Sequence, residues 1–122
     1  MDNNLNYGVV GNCRTAALVS ARGTIEWMCL PDFDSPSVFA SLLDRRKGGC
    51  FGFDVAEEYR ISQAYIPHTN ILATTFSADE GKFVILDFMP CYRSRRDEHY
   101  MPPELYRYVR WVRGRPRLRV HY

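Results

Sequence analysis

At 122 residues, 46% of them apolar and 14% aromatic, the chain has enough buried surface for one folded domain and no room for two. A formal net charge of +2 excludes overall charge as a reason to bind nucleic acid or an anionic membrane. The opening residues form neither a basic nor an apolar leader-like run, and no later run is long enough to cross a bilayer. A cytoplasmic product is therefore expected, with no nucleic-acid or membrane partner.

In chain order, short apolar runs rich in Val, Ile, Tyr, Phe and Thr recur between Gly and Asp turns, the pattern of an all-β sandwich. Strands are predicted at Tyr7–Val10, Ala16–Ser20, Thr24–Cys29, Cys50–Asp54, Tyr59–Tyr65, Ile71–Ser77, Lys82–Phe88, Tyr106–Arg113 and Arg117–Tyr122. Gly23, and Gly81 after Asp79 and Glu80, close two tight connections and are expected at positive φ. One short helix is predicted from Ser35 to Asp44. Ser35 would cap it, Pro36 would open it, and Val38, Phe39, Leu42 and Leu43 would lie on its apolar face. The stretch from Arg93 to Pro103 reads as a long surface loop.

Nine of the sixteen basic residues are arginines at or after Arg93, which implies a basic, solvated strand face near the end of the sequence. Leu118, Val120 and Tyr122 alternate with Arg117, Arg119 and His121, as in a strand with one wet face. The sequence stops within that alternation, so a piece of a longer chain is expected, with an exposed edge that invites a homodimer. Cys13, Cys29, Cys50 and Cys91 are too far apart in sequence for a Cys-x-x-Cys metal or redox motif, and are expected to be reduced and mostly buried. No metal or cofactor is called for, because His68, His99 and His121 lack ligand spacing and there is no phosphate loop or dinucleotide fingerprint.

The run Gly11-Asn12-Cys13-Arg14-Thr15-Ala16-Ala17-Leu18-Val19-Ser20 continues through Gly23-Thr24-Ile25-Glu26-Trp27 to Pro31-Asp32-Phe33-Asp34-Ser35-Pro36-Ser37-Val38-Phe39-Ala40 and Leu42-Leu43-Asp44. Together with Tyr65-Ile66-Pro67-His68-Thr69-Asn70-Ile71-Leu72 and Leu86-Asp87-Phe88-Met89-Pro90, it resembles the N-terminal domain of glucoamylase-like and trehalase-like enzymes of glycoside hydrolase family 15. The resemblance covers about the first ninety residues well. It implies an incomplete, supersandwich-like antiparallel β-sandwich over residues 1–122, leading into a catalytic (α/α)6 barrel that is absent here. Both catalytic glutamates of that family belong to the barrel, so no residue here inherits their role.

Hydrolysis of a glycoside needs two carboxyl groups flanking the bond. Asp32, Asp34, Glu26 and Asp87 are the candidates, but acids on loops act more often as caps and turn formers. By resemblance, Asn12, Arg14, Trp27, Asp32, Phe33 and Asp34 face the barrel, at the domain interface or the rim of its cleft. The plainer reading makes Trp27 a core residue covered by Phe33, Asp34 part of the Ser35 cap, and Arg14 an ion-pair partner. The expected function is a non-catalytic domain that packs on the barrel, whose own reaction is hydrolysis of α-glucosidic bonds in oligosaccharides or trehalose. The alternatives are a free-standing carbohydrate-binding module, in which Trp27 and its neighbours stack on sugar, and an assembly module that pairs through its edge strand.

Overall fold

The structure is a computed structural model that describes residues 6–122. Its first layer runs in the order β1 (Tyr7–Gly11), β2 (Ala16–Ser20), β3 (Ile25–Cys29) and β4 (Ser37–Phe39), all antiparallel. The far edge of β3 is shared. β4 takes its end, while at its start Ile25 and Phe51 exchange backbone hydrogen bonds of 2.8 and 3.1 Å. That bridge leads into β5 (Gly52–Asp54), which pairs with β12 (Arg119–His121), so the layer extends from β1 to β12. The second layer has the order β11 (Tyr106–Gly114), β8 (Gly81–Phe88), β7 (Leu72–Ala78) and β6 (Arg60–Tyr65). β9 (Tyr92–Arg93) and β10 (His99–Tyr100) form a separate small hairpin.

The core follows from the alternation along these strands, because a pleated strand sends every second side chain to the same face. Val10, Ala17, Val19, Ile25 and Met28 of the first layer meet Leu72 and Met89 in one cluster. Phe76, Phe83 and Ile85 of the second layer meet Phe53 and Tyr59 in another. Phe76 and Phe83 are register partners on adjacent strands, and their rings stack at 4.7 Å and 3°. Each such fully buried side chain contributes roughly 1.5–3 kcal/mol of transfer free energy. The all-β, sandwich-like fold expected from the sequence is the one observed.

Several local expectations are overturned. The described residues contain no helix, and the Ser35–Asp44 stretch forms β4 followed by turns. The reason is where its backbone donors go. Phe39 pairs with Met28 in the ladder, and the amides of Ala40, Ser41 and Leu42 donate to the carbonyls of Gly48, Gly49 and Glu26 at 2.6, 3.1 and 3.0 Å. Helical closures are confined to its end, where the Leu43 and Asp44 amides both donate to the Ala40 carbonyl, at 2.9 and 3.1 Å. Tertiary partners thus outbid a local propensity that is worth only tenths of a kcal/mol per residue, roughly.

Gly23 does adopt positive φ, at 77°. Gly81 does not. It is needed because a Cβ there would lie 2.6 Å from Pro116, and the positive φ falls on its register partner Gly114 instead, at 69°. The stretch from Arg93 to Pro103 is not all loop, since it carries β10, which packs Tyr100 on Tyr92 at 4.9 Å. Of the four cysteines, all free, only Cys29 is buried, while Cys13 and Cys91 are exposed. The expectation of mostly buried thiols fails because Cys13 and Cys91 lie outside the strands rather than on inward strand positions.

Candidate functional site

The corner where β1 turns into β2 and β3 leaves for β4 brings four of the six proposed site residues together. Asn12 is buried and organises the turn: its Oδ1 accepts from the amides of Arg14 and Thr15, both at 3.1 Å. This local capture of backbone donors by an Asn side chain lets Cys13 sit at a φ of 68°. Asn12 Nδ2 donates to the Pro102 carbonyl at 2.8 Å, tying the corner to the segment that precedes β11. Arg14 Nε then reaches Asp32 Oδ1 at 2.7 Å, and the Phe33 amide donates to the Arg14 carbonyl at 3.2 Å. Asp32 is folded into its own turn, its amide donating to Ser35 Oγ at 3.1 Å and its carbonyl accepting from the Ser35 amide at 3.1 Å.

Arg14 and Asp32 remain 38% and 45% exposed, so this ion pair contributes no more than about 1 kcal/mol. Asp34 and Phe33 project to the surface, Phe33 at 54% exposure. Trp27 lies elsewhere. It is half-buried on the outer face of the first layer, in a row with its register partner Leu18 and with Val9. The structure therefore corrects the plainer sequence reading on three points. Trp27 is not in the core, Phe33 makes no ring contact with it among the described residues, and Asp34 caps no helix.

The remaining carboxylates are committed to the scaffold. Glu26, at a bulge in β3, accepts the Tyr7 hydroxyl, and that hydrogen bond, reinforced by burial, raises the Tyr7 phenol above its usual value. Asp87 is fully buried and holds Arg107 in a bidentate pair, with Nε to Oδ1 at 2.6 Å and Nη2 to Oδ2 at 3.0 Å. Burial pushes the Asp87 carboxyl up, and Arg107 pulls it back down through hydrogen bonding and charge. Arg107 completes its donor set across the layers, giving Nη1 to the Phe51 carbonyl at 2.7 Å and Nη2 to the Gly23 carbonyl. Its guanidinium lies 4.8 and 4.7 Å from the ring centres of Phe51 and Phe53.

Sequence reasoning grouped Arg107 with the solvated arginines and so missed the residue that bolts the layers together. The available signal was its place in a strand among Tyr106, Tyr108 and Val109, in alternation with Val109 and Trp111. Among the described residues, no cluster of three or more His, Cys, Asp or Glu converges as a metal site would require.

The trehalase-like N-terminal family model matches residues 6–121. A trehalase of Thermoplasma volcanium is 41% identical over 111 residues, a span that covers 84% of this chain and 16% of that protein. Trehalase 1 of Sulfolobus acidocaldarius is 45% identical over 83 residues, covering 68% of this chain and 14% of the relative. A trehalase of Mycolicibacterium smegmatis is 38% identical over 86 residues, covering 67% and 12%. The chain thus spans about a sixth or less of the curated relatives it matches. No solved structure matches it. An all-β sandwich whose sequence matches that model over nearly its whole length belongs to the trehalase-like N-terminal domain family.

Proposed function

We propose that this chain is the non-catalytic N-terminal domain of a trehalase-type hydrolase of glycoside hydrolase family 15. It packs on a catalytic (α/α)6 barrel and shapes one edge of the cleft that takes trehalose or a related α-glucoside. The observation that carries the reading is the combination of a family match over residues 6–121 with relatives named trehalase that are more than six times longer than the matched span. The corner supports the same role. Asn12, Arg14 and Asp32 form a braced platform from which Phe33 and Asp34 project, and Val38, Leu42 and Leu43 are exposed in the segment that follows. Exposed apolar side chains of this kind suit a domain contact. Glu26, Asp32 and Asp87 are each engaged by a scaffold donor, an arrangement suited to holding structure rather than flanking a sugar bond.

The test is an assay of the purified chain on trehalose, maltose and maltodextrin. No release of glucose above a mock preparation is expected, and turnover that disappears with Asp32→Asn or Glu26→Gln would overturn the reading. The rival carbohydrate-binding module draws on the exposure of Phe33. The platform expected from the sequence stacks sugar on Trp27, and Trp27 is half-buried on β3 rather than presented beside Phe33.

A further inference from the structure

The second layer is closed at one end and bare at the other. On β8, Phe83, Ile85 and Asp87 face inward and are fully buried. Their register partners on β11 are Trp111, Val109 and Arg107, which share that inward face. Arg107 is covered, yet Val109 is 43% and Trp111 65% exposed. One strand further out, the same face passes from dry core to open solvent.

Across the gap the first layer ends in β12, where Val120, register partner of the buried Phe53, is 52% exposed. β11 is also the last strand of its layer, so alternate N–H and C=O groups point outward with no strand among the described residues to receive them. Its other face carries Tyr106, Tyr108, Arg110 and Arg113. Arg113 turns back to donate to the carbonyls of Ala78 and Asp79 at 3.0 and 3.5 Å, whereas Arg110 has no carboxylate partner among the described residues. A long edge that is apolar on one face and holds a cation without a carboxylate on the other specifies what fits beside it.

We propose that β11 is an acceptor edge for an added β-strand that is apolar on its inward side and carries carboxylates on its outward side. The inward residues would cover Val109 and Trp111, and a carboxylate would lie beside Arg110. The strand's source is the remainder of the longer enzyme, and only that source rests on the function proposed above. A second copy of this chain fits poorly, because pairing β11 with itself would bring two sets of arginines together.

The probe is an end-capped peptide of about eight residues, the span of such an edge, alternating valine and glutamate. Comparison peptides replace glutamate by lysine or place proline at the centre. The purified 122-residue chain is titrated while backbone amide resonances and Trp111 fluorescence are followed. Expected are shifts confined to residues 106–114 with the acidic peptide, affinity about fivefold or more weaker for the basic one, and no response to the proline peptide. Arg110→Glu should reverse the preference, and Val109→Lys should abolish binding. Both positions are exposed, so both variants should fold.

No shift on β11 at millimolar peptide would overturn the proposal, as would an equal response to both charges. So would concentration-dependent dimerisation that moves the same amides, which would place a second copy on the edge. Because nothing here reads sugar hydrolysis, a failure at this edge is distinguishable from a failure of the proposed function.

Discussion

The two flanks of the sandwich solve the problem of a strand edge in opposite ways. At β1 the outward backbone groups of Val9 are both met by a single hydroxyl, Tyr65 Oη, which accepts from the Val9 amide at 2.8 Å and donates to the Val9 carbonyl at 2.9 Å. A phenol can do both, so it stands in for the neighbouring strand. Gln63 Nε2 sews the same flank shut by donating to the Ser20 carbonyl and Thr74 Oγ1, both at 3.0 Å. At β11 one residue, Arg107, ties the edge strand to the opposite layer, and beyond it the inward face is uncovered. A sandwich therefore does not need symmetric flanks. It needs each edge either blocked by side chains or reserved for a partner.

The largest expected effect falls on the hinge between the two conditions. Asp87→Ala leaves Arg107 buried with only the Phe51 and Gly23 carbonyls for partners, and should cost about 3–5 kcal/mol in urea melts. Replacing Asp87 and Arg107 together by Leu and Met should recover most of that loss. If the double variant stayed as unstable as the single one, the pair would be a net source of stability rather than of layer alignment.

Next comes the closed flank. Tyr65→Phe removes both hydrogen bonds at Val9, should cost about 1 kcal/mol, and should speed amide exchange at Val9. Because the blocked edge is then free, sedimentation velocity should show more association than in the parent chain. A Tyr65→Phe protein that stays monomeric with Val9 still protected would mean that other contacts close this flank.

Two tyrosines away from the open edge have phenols raised from 10.0: Tyr7, chiefly by its hydrogen bond to Glu26, and Tyr59, chiefly by burial and then by its hydrogen bond to Glu80 at 2.6 Å. The folded state holds these protons more tightly than the unfolded chain does. Their contribution is therefore complete below pH 10 and is lost as pH rises through the raised values. Denaturant melts between about pH 9 and 11.5 should show stability falling, with a shallower fall in Tyr7→Phe and in Tyr59→Phe. An unchanged slope in both would remove these groups as its source.

The smallest effect belongs to the open flank. Trp111→Ser should change stability by no more than about 0.5 kcal/mol, although loss of a buried Trp would cost several times that. A large loss would mean the ring is covered in solution and the flank is not open.

Much of this architecture was legible in the residues. Short apolar runs at Ala16–Ser20 and Lys82–Phe88 identified strands, and Gly23 marked a turn that does need positive φ. Arg14 was read as an ion-pair partner, and the structure supplies Asp32 as the carboxylate it meets. The helix at Ser35–Asp44 was misread because the carbonyls that claim the amides of Ala40, Ser41 and Leu42 belong to Gly48, Gly49 and Glu26, and a local propensity argument cannot see them. Trp27 was misplaced for a related reason: its size suggests burial, but the bulge at Glu26 and its pairing with Leu18 put it on the outer face.

The sequence by itself determined the class of fold, the order of most strands, the turn at Gly23 and the family. All of these depend on periodicities and short-range chemistry written along the chain. Only the tertiary structure decided that Arg107 is buried while Arg110 is not, that Tyr65 closes one edge, and that Val109 and Trp111 are left bare. Alternation states which residues share a face. Whether that face is covered depends on which distant segment packs over it, and that is a property of the assembled layers.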